Sequence, residues 1–306
     1  MENKKPTITI GIPAYNEERN IGQLLSSLLS QKIISADLVE ILVVSDASTD
    51  RTVEVVKSFS NPQIKVIQRE KREGAYEAQN MIINLANSDI LVMLNADILP
   101  ANTNFLEELI KPIITNVKVG IVCGEMISVK PRTFFEKIMI NGYEIKKNIF
   151  ARMNEGNNLY NCVGVARAFS KNLYKKIKWP KDLPEDVYSY FICMSKKFSF
   201  IYTQKAKLMF RTPSNLRDHI KQSTRFLGGQ NKMLQVFGRK IIKKGYKIPI
   251  SLLIGATFVF FIKHPILTSC YVFLTVYIKL FLPKSYQAKW QIAISTKDSI
   301  KINYLQ

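Results

Sequence analysis

The stretch Ile90-Leu91-Val92-Met93-Leu94-Asn95-Ala96-Asp97 decides the fold. Five apolar residues run without alternation, as in a strand covered by helices on both faces, and a carboxylate follows three residues on. Working back from it, Ala78, Met81, Ile82 and Leu85 mark a helix, and residues 64–67 a strand. Ser48 and Asp50 open a helix carrying Val53, Val55, Val56 and Phe59, and residues 41–44 form a further buried strand. At the start, residues 7–12 alternate polar and apolar as a strand does. Asn16 is expected to cap the next helix, with Glu17 and Glu18 in its first turn and Ile21, Leu24, Leu25, Leu28 and Leu29 on one face. Forward of the opening stretch, residues 103–114 read as a helix and 119–123 as a fifth strand.

Strand–helix alternation at this spacing implies right-handed crossovers and a mostly parallel α/β sheet. Ligands bind such sheets at the carboxyl ends of the strands. Residues 126–212 read as a mixed region: strand-like at 163–169, helical at 185–196, with two short strands at 198–202 and 207–211. Pro213 opens a basic helical segment.

At 306 residues, 47% hydrophobic and 22% charged, the chain is too apolar to be disordered and long enough for one large domain or two. Four widely spaced cysteines without a CxxC pair, and two histidines, argue against structural zinc. The formal charge is +20, and residues 205–247 carry twelve Lys/Arg against the single acid Asp218. That run abuts the most apolar part of the chain: fifteen uncharged residues at 248–262, then eighteen at 265–282 with only Lys279 charged. As helices these reach about 22 and 27 Å, short of the roughly 30 Å hydrocarbon core, so a hairpin dipping into or just crossing a bilayer is expected. From the basic flanks and an N-terminus without an apolar signal region, both hairpin ends and the bulk of the protein are expected on the cytoplasmic side of a membrane. The basic run lacks interleaved aromatics, so no nucleic-acid partner is expected.

Three carboxylates fall at strand or segment ends: Asp46, Asp97 and Asp186. A lone Asp there is ordinarily a turn former. Three at one sheet edge, with a basic helix downstream, fit a divalent cation that in turn holds a diphosphate. Pro13-Ala14-Tyr15-Asn16-Glu17, Val43-Val44-Ser45-Asp46, Ala78-Gln79-Asn80, Asn95-Ala96-Asp97, Glu185-Asp186 and Gln222-Ser223-Thr224-Arg225-Phe226 occur in that order. In this the chain resembles the membrane-associated family 2 glycosyltransferases of GT-A type, over about residues 7–230.

The resemblance implies a GT-A, Rossmann-like catalytic domain at 1–212, in which 7–125 bind the nucleotide sugar and 126–212 face the acceptor. Basic interfacial helices at 213–247, a hydrophobic hairpin at 248–282 and a basic tail at 283–306 would follow. It implies that Pro13, Ala14, Tyr15 and Glu17 frame the nucleotide base, and that Asp46 binds the base, in a UDP-sugar through the uracil imide. Asp97 would coordinate Mn²⁺ or Mg²⁺ bridging the phosphates, and Asn95 would reach the ribose or a metal-bound water. Asp186 would be the general base. Gln222 and Arg225 resemble a QxxRW motif that contacts donor diphosphate and acceptor, with Glu185 and Phe226 on the acceptor side. The sequence departs from the family pattern at Ser45 and Asn95, where Asp is usual, and at Phe226 for Trp. It departs also at Ala75, where Lys is common and where Lys71 or Arg72 is expected to substitute. The implied activity is inverting transfer from a nucleotide-diphosphate sugar to a lipid-linked glycan, a polyprenyl phosphate or another membrane-proximal acceptor. The alternatives are a processive polysaccharide synthase and a non-catalytic membrane scaffold.

Overall fold

The computed structural model describes residues 4–181, 183–227, 230–281 and 294–300, with side chains described for all of these but 224–227, 230, 231 and 294. Strand β1 (Thr7–Ala14) leads through α1 (Ile21–Leu29) to β2 (Asp37–Ser45), α2 (Thr52–Lys57), β3 (Ile64–Gln68), α3 (Ala75–Leu85) and β4 (Ile90–Leu94). Then come a two-residue β5 (Leu99–Pro100), α4 (Phe105–Thr115), β6 (Val119–Ser128) and the long α5 (Phe134–Arg152). β7 (Ala166–Ser170), a short α6 (Lys171–Tyr174), α7 (Glu185–Ser195) and β8 (Ser199–Phe210) complete the sheet. The rest is helical: α8 (Leu216–Leu227), α9 (Gln230–Phe237), α10 (Arg239–Gly245), α11 (Ile250–Lys263) and α12 (Pro265–Phe281).

One sheet holds eight strands in the order β3-β2-β1-β4-β7-β6-β8-β5. β1 runs parallel to β2 and β4, β2 to β3, and β6 to β8. Only β7, against both neighbours, and β5 against β8 pair antiparallel. The mostly parallel α/β sheet expected from the apolar run at 90–94 is therefore present. Alternate residues of β4 serve the two faces, as the pleat dictates. Ile90, Val92 and Leu94 pack with α1 and α4, while Leu91 and Met93 pack with α3, α6 and α7.

Two local expectations are corrected. Asn16 does not cap a helix: it takes the left-handed conformation at φ 53°, and α1 starts only after Asn20. The β1–α1 loop bonds sideways to the β2–α2 loop instead. The Asn16 and Glu18 amides donate to Ser48 Oγ and Asp50 Oδ2, and the Arg51 amide donates back to Glu18 Oε2. The two short strands at 198–211 are one continuous strand, β8, because β6 supplies a parallel partner along both halves across a register shift at Gly124/Glu125.

α11 and α12 dock on α5 through Ile138, Met139, Ile145 and Ile149 of α5, Ala256 and Tyr271. A glycine allows the close approach, since a Cβ on Gly142 would lie 2.0 Å from the Tyr271 ring. The opposite faces of both helices leave Phe258, Ile262, Phe273 and Leu280 exposed. Taken together, α10 and α11 (Arg239–Lys263) are long and apolar enough by length and composition to cross a membrane, although they are separated at residues 246–249. Gly142→Ala is expected to cost about 1–3 kcal/mol by overpacking. Urea denaturation should show the loss, and Tyr271→Ala in the same chain should cost less than it does alone.

Candidate active site

The strand order reverses between β1 and β4: from β1 the chain proceeds outward to β2 and β3, then returns to place β4 on the other side. Open α/β sheets bind ligands at such a switch, outside the carboxyl ends of the strands. A cleft of about 370 Å³ opens there. Its lining includes Pro13 and Ala14 at the end of β1, Tyr15 and Glu17 after it, Asp46 after β2, Asn95 and Asp97 after β4, and Gln222 from α8. Eight of the residues singled out in the sequence thus meet in one place. Arg225 and Phe226 lie on α8, but their side chains fall outside the described residues.

Asp46 is buried at 3% exposure and is the anchor of one wall. Its Oδ1 accepts from Arg69 Nη1 at 2.6 Å and from the Glu73 amide at 3.1 Å, and its Oδ2 from the Gly74 amide at 2.8 Å. Arg69 also pairs with Glu73. These bonds shape the loop before α3, which enters the helix through Gly74 at φ 114°. The same loop lays the Arg72 guanidinium over the Tyr15 ring, 3.9 Å from its centre. Arg72 is thus the residue that brings a cation into the cleft near Ala75. Ser45 also has a structural task. It donates to Ser48 Oγ and accepts from the Ser48 amide, closing the turn in which Ala47 takes φ 58°. Arg69 was not anticipated from the sequence, since nothing in a single chain marks which of several nearby basic residues will fold onto a buried acid.

Glu17 is buried, and its Oε1 meets Lys297 Nζ at 2.6 Å while its Oε2 accepts from Asn20 at 3.0 Å. Burial, with the nearby Asp97 carboxylate, pushes its pKa up to about 7, against the pull of Lys297. Glu17 and Asp97 thus line the same cleft, and Glu17 is matched by a lysine. Among the described residues no group of three or more His, Cys, Asp or Glu side chains could by itself hold a metal ion. The donor set still fits a hard cation that takes one or two carboxylates from the protein and phosphate oxygens from its ligand. Asp97 would supply the charged oxygen and Asn95 a neutral one.

Neither Asp186 nor Glu185 belongs to the cleft lining. Asp186 is half-buried in the first turn of α7, its Oδ1 accepting from the Val187 amide. A Cβ on Gly164 would lie 3.7 Å from Asp186 Cβ and 3.3 Å from Glu185 Oε1. The next residue, Val165, lines the cleft and accepts the Asn95 amide. Asp186 thus stands one residue behind the lining on the Asn95 side. Glu185 is buried, and its carbonyl accepts from Arg167 Nη1 and Trp179 Nε1. Trp179 is a core residue at 1% exposure, out of reach of a stacking sugar. Arg167 is fully buried, its guanidinium 5.4 and 5.5 Å from the centres of the Phe169 and Trp179 rings, and it donates to the Glu185 carbonyl at the start of α7 and to Ser189 Oγ one turn on. Its place in the interior could not be read from the chain.

The comparisons with known proteins agree with this geometry. Residues 9–178 match the model of glycosyl transferase family 2. The chain is 31% identical over 102 residues to glycosyltransferase AglE of Haloferax volcanii, covering 33% of each protein. It is 25% identical over 172 residues to a 4,4'-diaponeurosporenoate glycosyltransferase of Staphylococcus aureus, covering 55% of this chain and 45% of the relative. The matches thus span a third to under half the length of these curated relatives. Among solved structures, mannosyltransferase PcManGT of Pyrobaculum calidifontis, in complex with GDP-Man and Mn²⁺, aligns at TM-score 0.60 and 18% identity over 91% of this chain and 76% of that one. Glucosyl-3-phosphoglycerate synthase of Mycobacterium tuberculosis, in complex with Mn²⁺, UDP and glucosyl-3-phosphoglycerate, aligns at 0.52 and 17% over 76% and 80%. The fold they share with this chain is the GT-A type of α/β sheet.

Removing Arg69 isolates a buried carboxylate. Arg69→Ala is expected to destabilise the protein by about 3 kcal/mol, the cost of leaving one member of a buried pair uncompensated. Denaturant titration should show it, and Arg69→Ala with Asp46→Asn should recover part of the loss.

Proposed function

The chain belongs to glycosyl transferase family 2, and on that premise we propose that it transfers a sugar, with inversion, from a nucleotide-diphosphate sugar to a hydroxyl or phosphate of a membrane-proximal acceptor. The observation that carries this reading is the convergence of Tyr15, Glu17, Asp46, Asn95, Asp97 and Gln222 on one cleft at the β1/β4 switch. Tyr15, with Arg72 on its ring, offers a stacking surface for the nucleotide base, framed by Pro13 and Ala14. Asp46 has an acceptor oxygen, Oδ2, with only one donor among those assigned, and presents it to an imide N–H. Gln222 and Arg225, at i and i+3 on α8, would face the diphosphate from the opposite wall. A divalent cation on Asp97 and Asn95 would neutralise the diphosphate that leaves.

Asp186 is the proposed general base. A hydroxyl acceptor attacks C1 through its oxygen from the face opposite the diphosphate and loses its proton to the Asp186 carboxylate; a phosphate acceptor, already ionised, needs no base. The C1–O bond to the diphosphate breaks, and the electron pair goes with the nucleotide. Glu185 and Phe226 would border the acceptor. Tyr246 supports a membrane-proximal acceptor: its ring centre lies 6.3 Å from that of Phe191 on α7, the helix whose first turn carries Asp186. Tyr246 immediately precedes the apolar pair α11 and α12, whose outer faces are exposed and whose approach carries Arg239, Lys240, Lys243, Lys244 and Lys247. Those charges suit the anionic cytoplasmic leaflet, at about 1 kcal/mol each near the surface. An amphiphilic acceptor lying along the helices would bring its head group to the base.

A panel of UDP-, GDP- and dTDP-sugars, assayed in lipid with Mn²⁺ or Mg²⁺ for released nucleoside diphosphate, tests the enzyme. Turnover should stop on chelation and in Asp97→Ala. Asp186→Asn should lower kcat by about 10²–10⁴-fold with donor KM little changed. No nucleotide-sugar turnover or binding with any donor would leave the scaffold reading in its place. Sedimentation with anionic vesicles tests the membrane. Phe258→Glu with Phe273→Glu should move protein from the vesicle pellet to the supernatant.

A further inference from the structure

Residues 294–300 come from the far end of the chain and lie against three separate walls of the cleft. Thr296 and Lys297 line it directly. The ammonium of Lys297 uses all three of its protons on one loop: it donates to the carbonyls of Tyr15 at 2.5 Å and Asn16 at 3.0 Å, and to Glu17 Oε1 at 2.6 Å. The Lys297 carbonyl accepts from Asn20 Nδ2 at 2.9 Å, closing the grip from the other side. On the α8 wall, the Ser295 amide and hydroxyl both donate to Asp218 Oδ2, at 3.0 and 2.8 Å, one helical turn before Gln222. At the end of β8, Arg211 donates to the carbonyls of Asp298 and Ser299.

The loop so gripped turns at Asn16, which holds φ 53°, the left-handed region that asparagine visits as a single turn residue. The bonds that hold the turn are the Ser48 and Thr49 contacts of the β2–α2 loop and the three from Lys297. Tyr15 and Glu17, the side chains this loop presents to the cleft, flank Asn16.

We propose that Lys297, carried on the strap 294–300, is a positioning residue that completes the nucleotide side of the cleft by holding loop 15–17 in its binding conformation. The inference rests on the donor-site reading for what the loop binds, but not for the grip itself. The strap thus makes the donor site depend on a segment about 280 residues away in sequence, and it couples that site to α8 through Asp218.

Two measurements on the full chain separate the inference from the reading beneath it. Hydrogen exchange of the Asn16 and Glu17 amides should accelerate at least about tenfold in Lys297→Gln and return most of the way in Lys297→Arg, because these amides are shielded only while the loop stays closed. Titration with UDP and with GDP, Mn²⁺ present, should show about tenfold weaker binding of the preferred nucleotide in Lys297→Gln, again restored by Lys297→Arg, as lost preorganisation predicts. Unchanged exchange in Lys297→Gln overturns the inference whatever the nucleotides do, and so does wild-type nucleotide affinity in that variant. If the unmutated protein binds neither nucleotide while exchange still accelerates in Lys297→Gln, the donor reading fails and the grip of Lys297 on the loop stands.

Discussion

The buried carboxylate of Asp46 is the constraint from which the cleft is built. It lies at the end of β2 with almost no access to water, so its charge must be answered from within the protein. Arg69 and two backbone amides answer it, and in doing so they fold the segment between β3 and α3 back over the sheet edge. That fold-back carries Arg72 onto Tyr15 and sets Gly74 at the start of α3. A residue that reads in the sequence as a ligand contact is therefore also a keystone of the wall. The two roles are compatible, since a carboxylate has about four lone-pair sites.

How far the sequence foretold this differs by element, for physical reasons. β4 was legible because a strand buried on both faces leaves an unbroken apolar run, and α3 and α4 because an amphipathic face repeats at helical spacing. The places of Asp46 and Asp97 were legible because each follows a parallel strand whose end opens at the same sheet edge, whereas Asp186 lies outside the cleft lining. Asn16 misled because Asn serves equally as an N-cap and as a left-handed turn residue, and only the partner loop, thirty-odd residues on, selects between them. The two halves of β8 read as separate strands because the polar stretch between them carries no sign that β6 runs alongside throughout. Arg69, Arg167 and Lys297 were invisible as site residues for a shared reason: each is one basic residue among many, and its importance comes from an acid, a carbonyl or a ring brought to it by tertiary structure.

The helical end shows the same dependence of local chemistry on distant packing. α11 and α12 are apolar nearly all round, yet they bury only one stripe each, against α5. α5 supplies that stripe and is anchored at its own start by a reciprocal capping box between Thr133 and Glu136. The apolar outer faces thus sit on a well-founded helix rather than on a loose tail. Their orientation relative to α5 is fixed by the absence of a side chain at Gly142, which lets the Tyr271 ring approach the helix backbone.

On the proposed reading, the charges on the cleft would make a divalent cation and a diphosphate favour each other's binding. Asp46 is matched by Arg69, and Glu17 by Lys297. Arg72, Arg211 and Asp97 also stand on the lining, with Arg211 within reach of Glu136. A cation alone would add to a wall already carrying two guanidinium groups, and Asp97 with a neutral Asn95 gives it a weak seat. A diphosphate alone would be drawn by the arginines but set against Asp97 in a partly dehydrated cleft, where like charges repel more than in water. On that reading the two together would remove both objections, since phosphate oxygens would complete the cation's ligands and the cation would offset the charge of Asp97. On the proposed reading this accounts for a site without a preformed metal cluster among its described residues: Asn95 in place of a second carboxylate lowers affinity for the free ion and ties its arrival to that of the donor.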